Sequence, residues 1–182
     1  MTHLTPEEFG AAFDSMFGRS AFRLELLDGY VAENELEPLR RFRSGQRQDP
    51  AWREPWAQYV RAALRDGKQM ARVHIVDEPL NEYLEFEFTC GYPANVAAGE
   101  DVRILPRQVW PSRLWLPGYD YWLFDDREVV AMNYDKLGNF LGAEAIADPP
   151  EVERHRQAQG RLMQHSIPLA DYLESLGIKE TA

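Results

Sequence analysis

The feature that most limits the fold is a change of rhythm near residue 70. Before it, apolar residues recur mainly at helical spacing; after it, most fall in short alternating runs of strand length. A chain carrying both periods has to pack amphipathic helices against a sheet. The expected class is therefore α/β (α+β), a mixed sheet flanked by helices.

The first half is well punctuated. Thr5, Pro6 and Glu8 supply an N-cap, a first-turn proline and a capping box, and Leu4 and Phe9 take the two positions of a hydrophobic staple. Phe9, Phe13, Met16 and Phe17 then predict a helix over 6–17. Phe22, Leu24 and Leu26 alternate with Arg23 and Glu25, which predicts a strand. Two helices follow, over 35–42 and 52–65, the second stopped by Gly67. Between them, residues 44–50 form the one linker-like stretch.

Strands are expected over 70–76, 102–105, 119–124, 128–134 and 140–146, with Asp125-Asp126-Arg127 turning the third into the fourth. The stretch 84–88 satisfies both periods. Leu84, Phe86 and Phe88 alternate with glutamates, yet Leu80, Tyr83, Leu84 and Phe88 keep helical spacing behind Pro79, and the helix is preferred. Pro149-Pro150 opens a long helix to His165, and Pro168 begins a short last one.

Hydrophobic residues make up 45% and aromatics 12% of the 182 residues, enough for a sizeable core. No apolar run approaches the ~20 residues of a membrane span, and the first residues lack the basic-then-apolar pattern of a signal peptide. The lone Cys90 fits a reducing cytoplasm. A net charge of −10 opposes direct nucleic-acid binding. The charge is uneven: seven acids and no base lie between Asp77 and Asp101, and Arg40, Arg41, Arg43 and Arg47 cluster upstream. These are either solvated helix faces or complementary surfaces for a partner.

His3, His74, His155 and His165 show no zinc-site spacing, so no metal is expected. Glu151 and His155 lie four apart on a predicted helix, where they could share a metal, and the preferred reading is an exposed helix-surface pair. A phosphate loop and a Gly-x-Ser-x-Gly elbow are both absent, and no cofactor is expected. The most unusual stretch is VWPSRLWLPGYDYWLF. It reads either as a loop folded over the core or as an aromatic pocket or partner patch.

The element order from Met70 to His165 resembles one half-domain of the phospholipase D superfamily. The segments EDVRILPR, YWLFDDREVVAMNYD and GAEAIADPPEVERHRQAQGRLMQ carry the likeness. The resemblance implies a His-x-Lys pair, an Asp four residues later and a downstream Asn. Aligned on the turn, the His and Lys positions hold Tyr119 and Tyr121, the Asp falls on Asp126, and the Asn corresponds to Asn133 without its preceding Gly-Ser. Phenols with a pKa of about 10 cannot replace the histidine nucleophile at neutral pH. The scaffold is thus expected without the catalytic pair, and no catalytic residue is assigned.

The whole chain also resembles an uncharacterised family of actinobacterial proteins, through LTPEEFGAAFDSMFGRSAFRLE, EPLNEYLEFE and AGEDVRILPR. Members are often encoded near helix-turn-helix regulators. The resemblances imply a single domain over 1–182, mainly helical over 1–68 and phospholipase-D-like over 70–182. They imply a non-catalytic regulatory protein that binds a small molecule, a helix-turn-helix partner or a second copy of itself in a homodimer. Its expected binding residues are Trp110, Trp115, Tyr119, Tyr121, Asp126 and Asn133. The rival expectation is an enzyme of specialised metabolism or a toxin system, using Asp120, Asp125, Asp126 and Glu128.

Overall fold

The computed structural model describes residues 2–178. The strands are β1 (Thr2–Leu4), β2 (Ser20–Glu25), β3 (Gln69–Val76), β4 (Asp101–Pro106), β5 (Asp120–Phe124), β6 (Glu128–Tyr134), β7 (Phe140–Ile146) and β8 (Ile167–Pro168). Together the described residues form one eight-stranded sheet in the order β1-β7-β6-β5-β2-β3-β4-β8. The strands β2, β3 and β4 run parallel, and the remaining neighbours pair antiparallel. The sheet is mixed, and helices flank it.

The helices are α1 (Pro6–Met16), α2 (Leu36–Arg43), α3 (Glu54–Arg65), α4 (Glu82–Phe86), α5 (Tyr92–Ala98), α6 (Pro149–His165) and α7 (Leu169–Ser175). The capping box at Thr5 and Glu8 is formed in both directions. Helix α4 begins at Asn81, whose side chain accepts from the Leu84 N–H at 2.8 Å, rather than at Pro79. It runs through a π-helical segment, Glu87–Gly91, into α5, an extension that the periodicity of 80–88 did not reveal.

Strand alternation sorts side chains onto two faces. Phe22, Leu24, Val73, Ile75, Tyr121 and Leu123 share one face with Val152 and Leu162 of α6. On the other face, Ala21, Met70, Trp122 and Phe124 pack with Phe9 and Phe17 and with Val60 of α3. Further along that face, Val76, Val102 and Ile104 meet Leu84, Tyr92 and Tyr172. The helix-rich N-terminal part therefore contributes the middle of the sheet, because β2 lies between β5 and β3.

The two charged segments meet within the chain. Arg43 bonds Glu82 at 2.7 Å on the surface, while Glu87 and Glu100 of the acidic stretch are buried against arginines. At the β5–β6 hairpin, Asp125 and Asp126 both take positive φ, 54° and 59°, which Asp tolerates better than most residues. Asp125 accepts from the backbone of Arg19 at 2.6 Å and of Ser20 at 3.0 Å, tying the hairpin to β2. Burial opposes its charge, yet those bonds and Arg127 prevail and hold its carboxyl below the ordinary range. Asp126 is exposed at the tip. Asp125→Asn should thus cost roughly 1.5–3 kcal/mol, the size of a charged hydrogen bond, and Asp126→Asn under about 0.5 kcal/mol. Chemical unfolding of both variants checks this, and an equal or larger loss at Asp126 would contradict it.

Candidate functional site

Strands buried on both faces are normally apolar at every position. Here Arg23 and Glu25 on β2 and Arg72 and His74 on β3 alternate with the apolar residues, and all four are buried. Their side chains lie on the face covered by α1, α3 and α5, opposite α6. A charge removed from water in this way has to be paired and hydrogen-bonded.

Arg23 bonds Asp120 at 2.9 Å and the Tyr134 hydroxyl at 2.9 Å, and Asp120 also accepts from Tyr30 and from the Leu26 N–H. Arg72 bonds Glu25 at 3.0 Å and Glu100 at 2.5 Å. Burial works against the Glu25 carboxylate, but Arg72 and Arg23 outweigh it and hold its pKa well below the usual range. The third arginine, Arg53, precedes α3 and forks onto Glu87, with Glu35 at 3.3 Å and Tyr83 donating to Glu35 at 2.9 Å. Burial drives Glu87 up to about 7 against the pull of Arg53, with Glu35 and Glu25 adding repulsion. Glu87 and Gly91 belong to the π-helical turn, and a Cβ on Gly91 would stand 2.5 Å from both Arg53 Nη2 and Glu87 Oε2, so a larger residue there would displace the ion pair.

His74 closes the layer. Its Nε2 lies 2.8 Å from the Leu27 carbonyl and must donate; its Nδ1 lies 2.9 Å from the Tyr92 hydroxyl, which is 2.6 Å from Glu25. With His74 neutral, the Tyr92 proton has two acceptors, Nδ1 and Glu25. Burial lowers the His74 pKa, although Glu25 and the Leu27 carbonyl act to raise it.

Beside this layer lies a cavity of about 230 Å³ lined by Arg23, Arg53, Arg72, Trp56, Trp122 and Tyr134, with Met132 at its wall. Arg23 Nη1 and Arg53 Nε are buried without a hydrogen-bond partner. A depression of about 690 Å³ runs along the outer side of α3, where its charged residues, among them Glu54 and Arg61, are exposed. A hollow of about 560 Å³ shares Tyr30, Glu35 and Tyr83 with the polar layer. A hollow of about 390 Å³ beside α2 is lined by Arg41, Gln48 and Trp52, each of which also carries a buried polar atom without a hydrogen-bond partner.

The residues expected from sequence lie elsewhere. Trp115, Tyr119 and Tyr121 gather round His155 on α6, with ring centroids 5.0, 5.9 and 4.8 Å from it. Trp110 packs on the same face and touches His165. Arg154 stacks over Trp115 at 3.9 Å. Asp126, beyond the far end of β5, is not brought to this group, and Asn133 sits on β6 opposite Gly142. The rival set is also split: Asp120 starts β5, while Asp125, Asp126 and Glu128 surround the hairpin at its other end.

His155 is not the exposed partner of Glu151 that its spacing suggested. It is fully buried; its Nδ1–H donates to the Glu151 carbonyl at 2.7 Å, so its Nε2 accepts from Tyr119 at 3.1 Å. Cys90 is half-buried in the π-helical turn. Among the described residues no cluster of His, Cys, Asp and Glu has the arrangement of a metal site, and no helix is long and apolar enough to cross a membrane.

The chain belongs to the family described as a domain of unknown function (DUF6879), which matches residues 7–174. No curated protein matches it. Among solved structures it is similar to a phospholipase D family member, Nuc from Salmonella typhimurium, at 11% identity and a TM-score of 0.45, over 90% of this chain and 92% of that one.

Burial lowers the His155 pKa below 6.5. As pH falls, the unfolded chain takes the proton first, so this contribution to stability is present above about 6.5 and lost below it. The stability gap between the native protein and His155→Gln should therefore narrow as pH drops from 7 toward 5, measured by urea unfolding at each pH. A widening gap would contradict the buried neutral imidazole.

Proposed function

We propose that this protein is a non-catalytic ligand-binding protein with a regulatory role, and that its site is the cavity beside the buried arginine layer. The observation that carries the reading is the hollow of about 230 Å³ where Arg23, Arg53 and Arg72 meet the rings of Trp56, Trp122 and Tyr134. Cationic and aromatic groups side by side offer an occupant both charge and ring surface, and rigid aromatic walls lose little entropy on binding.

Binding is supported over catalysis because the acids of the rival set, Asp120, Asp125, Asp126 and Glu128, stand at opposite ends of β5. Asp120 is committed to Arg23, Tyr30 and the Leu26 N–H, and the hairpin acids stand at the other end of β5. In this reading the expected phosphodiesterase positions, Tyr119 and Tyr121, are packing residues of the α6 face. A helix-turn-helix regulator is the protein partner to which ligand occupancy would be reported.

Two of the protein's tryptophans, Trp56 and Trp122, line the site, so binding reports in tryptophan fluorescence. A panel of single-ring organic fragments should give saturable fluorescence changes, and Met132→Phe, which fills the wall, should abolish them while the fold is kept by circular dichroism. The same preparation should leave a generic phosphodiester intact. Fragment binding that ignores Met132→Phe, or phosphodiester turnover lost in Tyr119→Phe, would overturn the proposal.

A further inference from the structure

We infer that Glu35, Arg53 and Glu87 form a proton-operated latch that holds the segment leading into α2 on the π-helical turn. The latch goes beyond the ligand-binding reading and does not depend on it. Its basis is a charge count within the buried layer. Glu25, Glu35, Glu87, Glu100 and Asp120 are all buried, and the guanidinium groups that pair with them are three, those of Arg23, Arg53 and Arg72. His74 adds no cation, because burial disfavours its charge. Five carboxylates against three cations leave negative charge in excess, and a buried charge without compensation is relieved by taking up a proton.

The hydrogen bonds show where that proton sits. Hydroxyl and indole donors stabilise a carboxylate's charge. Tyr92 donates to Glu25 at 2.6 Å, Tyr83 to Glu35 at 2.9 Å, Trp56 to Glu100 at 3.2 Å and Tyr30 to Asp120 at 2.6 Å. Glu87 has no such donor among the described residues. Both its oxygens rest on Arg53 Nη2, the same nitrogen that Glu35 Oε1 reaches at 3.3 Å. One nitrogen therefore serves two carboxylates. Of the groups facing Glu87, Arg53 and Arg72 favour its charge, Glu35 and Glu25 oppose it, and the phenols of Tyr83 and Tyr92 stay neutral. Burial and the two acids prevail, and the Glu87 carboxyl is pushed up to about 7.

The two carboxylates differ in their freedom to move. Glu87 is fixed in the π-helical turn between α4 and α5. Glu35 ends the turn Glu33–Glu35 that runs directly into α2, and it also lines the 560 Å³ hollow, so it has a path toward solvent. Removing the proton leaves two negative groups on one guanidinium nitrogen, and Glu35, the more distant, is the one released. The closed latch binds a proton that the open one lacks between an ordinary glutamate value of 4.5 and about 7. Closure is therefore firm on the acid side, and opening grows by about tenfold per pH unit until it levels off above 7.

Amide deuterium exchange of the full-length protein, corrected for the intrinsic effect of pH, tests the latch. Protection of residues 33–43 should fall by roughly tenfold or more between pH 5.5 and 7.5, while that of α6 does not fall with it. Glu87→Gln imitates the protonated acid, and Glu35→Gln removes the repulsion from the other side. Each should hold residues 33–43 equally protected at both pH values. In the native protein, the Glu87 carboxyl carbon followed by NMR should titrate near 7, which decides the matter even if both variants fail to fold. Protection that does not change with pH, that falls equally in α6, or that keeps its pH dependence in a folded variant would overturn the latch. So would a Glu87 midpoint in the ordinary glutamate range.

Discussion

The structure depends on charged side chains being placed between the sheet and the helices that cover it. Arg23, Glu25, Arg72 and His74 occupy the positions where two central parallel strands would otherwise carry Val or Ile. Each buried ion costs several kcal/mol in lost hydration, and mutual attraction offsets this only when geometry and hydrogen bonding are nearly complete. The surrounding elements are arranged to meet that demand. Asp120 comes from β5, Glu100 from the turn before β4, Tyr92 from α5, and Arg53 with its carboxylates from the segments before α2 and α3 and from the π-helical turn. The layer thus ties together segments far apart in sequence.

The two faces of the sheet divide the work. Under α6 the packing is apolar and aromatic, and His155 is its buried polar centre, anchored by a backbone carbonyl and by Tyr119. That arrangement has every ring nitrogen in use, and stacking of Arg154 on Trp115 closes it from outside. The opposite face pairs apolar packing at its ends with a polar centre. A protein that needs only stability would fill that centre with hydrocarbon, since apolar replacement of buried ion pairs is often neutral or stabilising.

Local signals made most of the fold legible. The Thr5–Glu8 capping box, the Asp125–Asp126 turn and the Pro149-Pro150 start each state their element in a few residues, and the structure has all three. The site was harder to read because alternation has the same period whether the polar face meets water or a layer of helices. Arg23 and Glu25 between Phe22, Leu24 and Leu26 look like an ordinary solvated face. The signal that could have found the site is a combination: two parallel strands, each joined to the next by helices, both with charges on the same alternate positions. The aromatic stretch from Trp110 to Trp122 drew attention instead, because rings are conspicuous in sequence while their packing onto α6 is not. His155 shows the same limit, since spacing from Glu151 places it on a helix but does not say which side that helix buries.

The central claim is that the Arg23, Arg53 and Arg72 guanidinium groups are buried and held by carboxylates in a layer between sheet and helices. Side-chain hydrogen exchange of the arginine Nε–H groups, followed by NMR at neutral pH, tests it most directly. Arg40, Arg43 and Arg61, whose side chains are 64%, 54% and 44% exposed, serve as ion-paired controls in solvent. The account predicts separate, slowly exchanging signals for the three buried arginines, at least a hundredfold slower than the controls, an order-of-magnitude protection expected where exchange needs local opening. Exchange of Arg23, Arg53 and Arg72 as fast as that of the controls would mean that water reaches the layer freely, and would contradict the account.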